Sequence, residues 1–363
     1  MRIGFIGLGA VVDTAYLPAL QRMGFPLSDC VGYDPDPARR PAGIVRCDSL
    51  EQLLASLPET VFITTSSLWH IPVLEQVLQS DVPRIVVEKP VAASLVQIAQ
   101  LKSWLTAPET ASRVLALDHW MARDGVQQLA SGTLESHWQP DGHAQSLPPL
   151  LTRREDIVRI EGFLQEPSGF NAAGEPMALN FATGEPDTRQ LRHPDGVIID
   201  IGTHVLAMLR EALAGLGAGD ALTLHAIRAV DRLGRDIAVG DTVTAEGEAQ
   251  LQGDIDGIPL TIWLNKYAGP AGGQKGIRLH LRDGSILSQD RQGTQDVLEL
   301  IRGESVLRWT LAGPVYDHCL RRYILGENSL FVRAPERVVQ MTQRRIAEVE
   351  RLLAIQQTLR GPH

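Results

Sequence analysis

Over the first 120 residues, short apolar runs alternate with longer stretches of helical spacing. The runs are Arg2–Gly7, Cys30–Tyr33, Val61–Thr65, Arg84–Val87 and Arg113–Leu117, and the stretches include Thr14–Met23, Ser49–Leu57, Ile71–Gln79 and Ser94–Leu105. Strands and helices that alternate in this way predict a parallel sheet with helices on both faces. The runs are continuously apolar, as strands covered on both sides must be. Residues 137–195 break the pattern. They are rich in Pro, Gly and polar residues, with one strand-like stretch at Asp156–Gln165, and read as a long connection that forms part of a pocket or lid. A helix is expected from Val197 to about Ala214. Strands follow at Leu222–Val230, Thr242–Leu251, Leu260–Tyr267, Ile277–Leu281, Ser285–Leu287, Val297–Ile301 and Val306–Thr310. Several of these alternate apolar with polar residues, the mark of an antiparallel sheet with one open face. Helices near Val315–Leu325 and Pro335–Leu359 close the chain.

The expected fold is therefore α/β. A doubly wound Rossmann sheet occupies residues 1–120, an α+β substrate and oligomerisation domain residues 121–334, and a helix over 335–363 returns toward the first domain. The chain's 363 residues suit about two domains. Covering the open face with a second copy predicts a homodimer or homotetramer. Hydrophobic residues make up 44% and charged residues 21%, which excludes a disordered or fibrous chain. A net charge of −9, with arginine pairs scattered at Arg39-Arg40, Arg153-Arg154 and Arg321-Arg322, excludes a nucleic-acid partner. Three cysteines without metal-ligand spacing suggest neither a disulfide framework nor a metal site, and point to a reduced, cytoplasmic setting. No apolar run reaches the roughly 20 residues of a membrane helix. Met1-Arg2 followed by IGFIGLGAVV also has the shape of a secretory leader. Its glycine spacing has a different explanation.

That explanation is a nucleotide turn. The first run ends in Gly7-Leu8-Gly9-Ala10-Val11-Val12. A dinucleotide fingerprint needs one glycine for the turn, a second for backbone approach to the pyrophosphate and a third small residue for helix packing. Val12 departs from the third requirement. Asp34 stands 25 residues past Gly9 at the end of the second run. An acidic residue there accepts hydrogen bonds from the adenosine ribose and favours NAD, while Arg39 and Arg40 could accommodate the extra phosphate of NADP. A turn aspartate before proline would look the same. Ser66 and His70 follow the third run and are expected to line the cofactor crevice.

Candidate chemistry gathers at other strand ends. Val86-Val87-Glu88-Lys89-Pro90 closes the fourth run, where a lysine can reach a reacting group. Asp200 and His204 are four apart on one predicted helix face, with Gly202 between them leaving room for a ligand. Histidine suits the removal of a hydroxyl proton near neutral pH. The fifth run ends in Leu117-Asp118-His119-Trp120. Each group has a plainer reading as well: a solvated Glu-Lys pair, a helix-start aspartate with a core histidine, and an Asp-His cap.

Together GFIGLG with YLPAL, VVEKPVA and DGVIIDIGTHVLAML resemble the Gfo/Idh/MocA family of oxidoreductases. The resemblance covers most of the chain. It implies that Lys89 contacts the reacting hydroxyl, that Asp200 and His204 are the family's Asp and His, and that His204 is the general base. Many members place another aspartate three residues after that histidine, where this chain has Ala207. LDHWMARDGVQQL and FLQEPSGF also resemble, locally, segments of glucose-6-phosphate dehydrogenases. That likeness implies that Asp118 orients His204, that His119 helps bind substrate phosphate, and that Arg123, standing where those enzymes usually place a lysine, binds substrate. The chain lacks the longer Gly-x-x-Gly-Asp loop of those enzymes. The expected activity is NAD(P)-dependent hydride transfer at a hydroxyl carbon of a sugar, sugar phosphate or cyclitol. Two rivals are a glycoside hydrolase that uses tightly held NAD for transient oxidation, and a non-catalytic nucleotide and sugar sensor.

Overall fold

The structure is a computed structural model that describes residues 1–131, 138–141, 153–179, 186, 191–269 and 273–361. Much of the long connection expected over residues 137–195 lies outside the described residues. The chain divides into two compact units. One comprises Met1–His119 with Pro314–Glu350, and the other Trp120–Gly313 with Arg351–His363.

The first unit is built on a six-stranded parallel sheet. Its strands are β1 (Ile3–Ile6), β2 (Cys30–Tyr33), β3 (Val45–Arg46), β4 (Thr60–Ile63), β5 (Arg84–Val87) and β6 (Val114–Ala116). They lie in the order β3-β2-β1-β4-β5-β6, the Rossmann arrangement. β1 and β4 are fully buried, which accounts for their unbroken apolar sequence. Phe5 stacks on Phe62 at 5.2 Å between ring centres, and Tyr16 packs 5.0 Å from Phe62. β3 was not expected: two residues, neither of them buried, carry no periodicity. Ser49 and Ser94 accept the backbone N–H groups of Gln52 and Gln97, which fixes the starts of helices Leu50–Ala55 and Leu95–Trp104. At the sheet edge, the Thr342 hydroxyl donates to the Val114 carbonyl at 2.7 Å and accepts from the Ala116 amide at 3.0 Å. The long helix Pro335–Arg360 thereby completes β6.

The second unit carries a nine-stranded sheet. Its strands are β7 (Gln139–Asp141), β8 (Ile157–Phe170), β10 (Leu222–Val230), β11 (Glu248–Ile255), β12 (Ile258–Gly269), β13 (Gln274–Leu281), β14 (Ile286–Gln292), β15 (Gln295–Arg302) and β16 (Ser305–Ala312). The order is β10-β11-β12-β8-β13-β14-β15-β16-β7, and the short β9 (Pro176–Ala178) pairs with the end of β8. The sheet is antiparallel except where β12 runs parallel to β8. One face is apolar, with Ile160, Leu260, Ile262, Leu264, Ile277 and Leu279 all buried. Helix Gly202–Gly215 packs on it. A Cβ at Gly162 would stand 2.2 Å from Val205 Cγ1, so β8 and this helix meet in close contact. The other face carries Glu161 beside Arg159, Arg278 and His280. Two local expectations need correction. The strand expected from Thr242 begins at Glu248, because the Asp241 carboxylate accepts the amides of Val243 and Thr244 and makes a turn. The helix expected from Val197 is interrupted at Ile201, which separates Val197–Asp200 from Gly202–Gly215.

Candidate active site

In the first unit the glycine turn sits at the carboxyl ends of β1 and β4, where the strand order reverses and ligands of such sheets bind. Gly7 has φ +94°, and a Cβ there would meet the Thr65 amide nitrogen at 2.6 Å. Only glycine fits. Gly9 has nothing within 4 Å of its Cβ position, leaving the open space that a pyrophosphate requires. Val11 precedes, and Val12 begins, a wide helical turn over Val12–Tyr16 before α-geometry continues over Leu17–Arg22. The missing third small residue coincides with that widening. The Asp34 carboxylate accepts the Leu8 amide at 2.7 Å and the Asp36 amide at 2.9 Å, so it braces the glycine turn while keeping acceptor capacity. The Thr64 hydroxyl donates to the carbonyl of Gly7 at 2.7 Å, tying the ends of β1 and β4. Ser66 is exposed at the head of helix Ser67–Leu78. Arg39 is exposed, 3.7 Å from Asp36. This donor set, with an open backbone turn and an acidic residue on β2, fits a dinucleotide.

The end of β5 holds the second group. Glu88 is buried and accepts the Tyr16 hydroxyl and, at 3.1 Å, the Lys89 amide. Burial pushes its pKa up to about 7. The Tyr16 hydrogen bond and the Lys89 charge oppose that shift, and Asp118 adds to it. Glu88 is thus enclosed among side chains and supports Lys89 from beneath. His70 is buried, its ring nitrogens 2.7 Å from the Pro90 carbonyl and 3.0 Å from that of Thr65. It fastens the segment after β4 to the segment after β5, and burial lowers its pKa. Asp118 is fully buried past the end of β6. His119 stacks on Tyr316 at 4.2 Å.

In the second unit, Asp200 ends the short helix Val197–Asp200 and His204 lies in the first turn of the next. His204 is buried against the Trp120 ring, 5.5 Å between centres. Asp200 Oδ2 stands 2.7 Å from Nζ of Lys266, which is 3% exposed and also 3.6 Å from Glu166. Lys275 is buried with its ammonium 5.6 Å from the Trp120 ring centre, and burial lowers its pKa to about 8. Arg123 is fully buried. It pairs with Asp296 at 2.6 Å and donates to the Lys275 carbonyl at 2.7 Å, so its guanidinium is engaged inside the protein. Among the described residues, no three His, Cys, Asp or Glu side chains cluster as a metal site. The three cysteines are all buried.

Lys266, Thr64 and Tyr16 were not singled out from the sequence, and Glu166 was noted only within its motif. Lys266 had a legible signal. On β12 the inward positions run Leu260, Ile262, Leu264 and then Lys266, a charge where the apolar period calls for a hydrophobic residue. β8 does the same with Ile160, Gly162, Leu164 and Glu166.

Such a turn and sheet order are those of a dinucleotide-binding fold. Residues 1–119 match the model of the oxidoreductase family with an NAD-binding Rossmann fold, GFO_IDH_MocA. Over those residues the chain carries a Rossmann domain similar to that of the NAD-binding oxidoreductases of this family. No curated protein matches it by sequence. Several solved structures share the fold along nearly its whole length. KijD10, a 3-ketoreductase from Actinomadura kijaniata, was solved as a point variant in complex with TDP-benzene and NADP. It is 14% identical with a TM-score of 0.63, over 98% of this chain and 96% of that one. UDP-N-acetylglucosamine 3-dehydrogenase GnnA from Acidithiobacillus ferrooxidans is 18% identical with a TM-score of 0.58, over 97% and 99%. A Gfo/Idh/MocA family oxidoreductase from Vibrio cholerae is 14% identical with a TM-score of 0.59, over 98% and 96%. Among the described residues, no helix is long and apolar enough to cross a membrane.

Proposed function

We propose that the protein transfers hydride between a hydroxyl-bearing carbon of a sugar, sugar phosphate or cyclitol and the nicotinamide. The observation that carries this reading is Lys89 at the carboxyl end of β5, braced by the buried Glu88, in a sheet whose Gly9 turn is open. When bound, the nicotinamide supplies the hydride acceptor or donor. His204 takes the hydroxyl proton in the oxidising direction and returns it in the other. Lys89 stabilises negative charge developing on that oxygen. Asp200 or Asp118 orients His204 in its working tautomer. His119 is a candidate contact for the rest of the substrate. The carboxylate of Asp34 favours NAD through the ribose hydroxyls.

Initial rates read by nicotinamide absorbance test this directly. NAD and NADP are crossed with free hexoses, their 6-phosphates, inositols and UDP- or TDP-linked hexoses, the last because of the substrate named for GnnA and the ligand named for KijD10. Lys89→Ala is expected to lower turnover at least about 100-fold. The variant should bind NADH, followed by fluorescence, with nearly unchanged affinity. Equal loss of both would make Lys89 a structural residue and remove it from the reaction. NAD should bind more tightly than NADP; the reverse order would overturn the role given to Asp34.

A further inference from the structure

β12, β8 and β13 are neighbours in the second sheet, and each puts a charge on the inward face close to the same end: Lys266, Glu166 and Lys275. Lys266 is 3% exposed, and burying an ammonium costs several kcal/mol unless it is paired. It is held by two carboxylates, at 2.7 Å from Asp200 and 3.6 Å from Glu166. Glu166, on the adjacent strand, is the longer contact. The shorter one leaves the sheet for the start of the helical segment above it. Asp200 belongs to a four-residue helix that stops at Ile201, so its backbone alone directs its carboxylate weakly. Asp200 is also the more accessible carboxylate of the two, 25% against 17% exposed.

We propose that Lys266 is a positioning residue for the hydride-transfer site, an ammonium anchored by Glu166 that aims the Asp200 carboxylate and keeps it ionised. The inference rests on the reaction proposed above only in giving Asp200 the task of orienting His204. The pairing itself is independent of any substrate. Among the described residues, Lys275 from β13 feels the charges of Glu166, Arg123, Arg291 and Lys266, and His204 stands one turn beyond Asp200 along the helical segment. An opposite charge this close shifts a carboxyl by roughly 1–3 pH units. Removing Lys266 therefore raises the titration of Asp200, and removing Glu166 lowers it.

The test is a carbon NMR titration of the protein labelled at aspartate carboxyls, with the Asp200 signal assigned by its loss in Asp200→Asn. Lys266→Met should move the Asp200 midpoint up by at least about one unit, and Lys266→Arg should restore it. Glu166→Gln should move it down, and supplies the answer if Lys266→Met does not fold. An unmoved midpoint in the folded variants, or a failure of Arg to restore it, overturns the inference. With a substrate from the panel, the acidic limb of the pH–turnover profile should rise by the same amount in Lys266→Met. Turnover there should fall by about 100-fold while KM changes far less. If the titration shifts as expected and the wild-type protein turns over nothing in the panel, the reaction reading fails and the positioning by Lys266 stands.

Discussion

Glu88 has almost no water around it, and its partners are a tyrosine hydroxyl and a backbone amide. Burial raises its pKa to about 7, above the roughly 4.3 of an exposed glutamate. Between these values the folded chain holds a proton that the unfolded chain has released. Its stabilising contribution is therefore complete below the unfolded value and is lost as pH rises through about 7. Melting curves from pH 4 to 8 should show a decline that flattens in Glu88→Gln, which keeps an acceptor for Tyr16 and cannot ionise. Parallel curves for the two proteins would exclude Glu88 as the source. At Gly7 the constraint is backbone geometry. With φ +94° and the Thr65 amide 2.6 Å from a prospective Cβ, Gly7→Ala should destabilise by about 2 kcal/mol or more in urea unfolding. It should also weaken NADH binding, because the turn cannot keep its shape. Both residues stood out in the sequence by type and position. The enclosure of Glu88 did not, because Tyr16 lies 72 residues away.

Elements meet where side chains are missing. Gly162 on β8 faces Val205 at a prospective 2.2 Å and Leu209 at 3.1 Å, so the helix Gly202–Gly215 rests almost directly on the strand. Gly162→Ala should cost about 1–3 kcal/mol by overpacking. Val205→Ala in the same chain should recover much of that loss. A double variant as unstable as the sum of the singles would show that the strand itself, not the contact, is the source. The strand pattern was legible where alternation was strong: Leu222–Val230 was read with the bounds the structure gives. It failed at Thr242, where Asp241 takes two backbone amides and turns a strand-like sequence into a loop. The break at Ile201 escaped the reading of apolar spacing, although Asp200, Gly202 and Thr203 beside it are weak helix formers, and the interruption separates the two site residues of this unit.

At the scale of the whole molecule, the chain does not divide in sequence order. Residues Pro314–Glu350 cluster with the N-terminal unit, and Arg351 onward with the other. The last helix ends in Arg360, which pairs with Glu246 at 2.6 Å, both side chains fully buried. Arg360 also donates to the Thr244 carbonyl at 2.7 Å, and Gln356 to Glu246 at 2.9 Å. Arg360→Met should destabilise the second unit by about 3–5 kcal/mol, because it strands a buried carboxylate. Adding Glu246→Gln should recover part of this in denaturant unfolding, whereas no recovery would show that packing, not charge, holds the helix end.

The sequence by itself determined what depends on neighbours along the chain. Apolar runs and helical spacing gave the Rossmann alternation, the spacing of Gly7, Gly9 and Asp34 gave the cofactor turn, and Lys89 was marked by its place after a buried strand. The tertiary structure decided what depends on strand register and on contacts between distant segments. It showed Arg123, a candidate substrate contact, as the buried partner of Asp296, 173 residues away. It also set Lys266 beside Asp200 across 66 residues. Periodicity assigns a side chain to a face of its own element, but only the pairing of elements sets which charge stands opposite. For that reason an inward-facing lysine could be seen in the sequence of β12 while the carboxylate it holds could not.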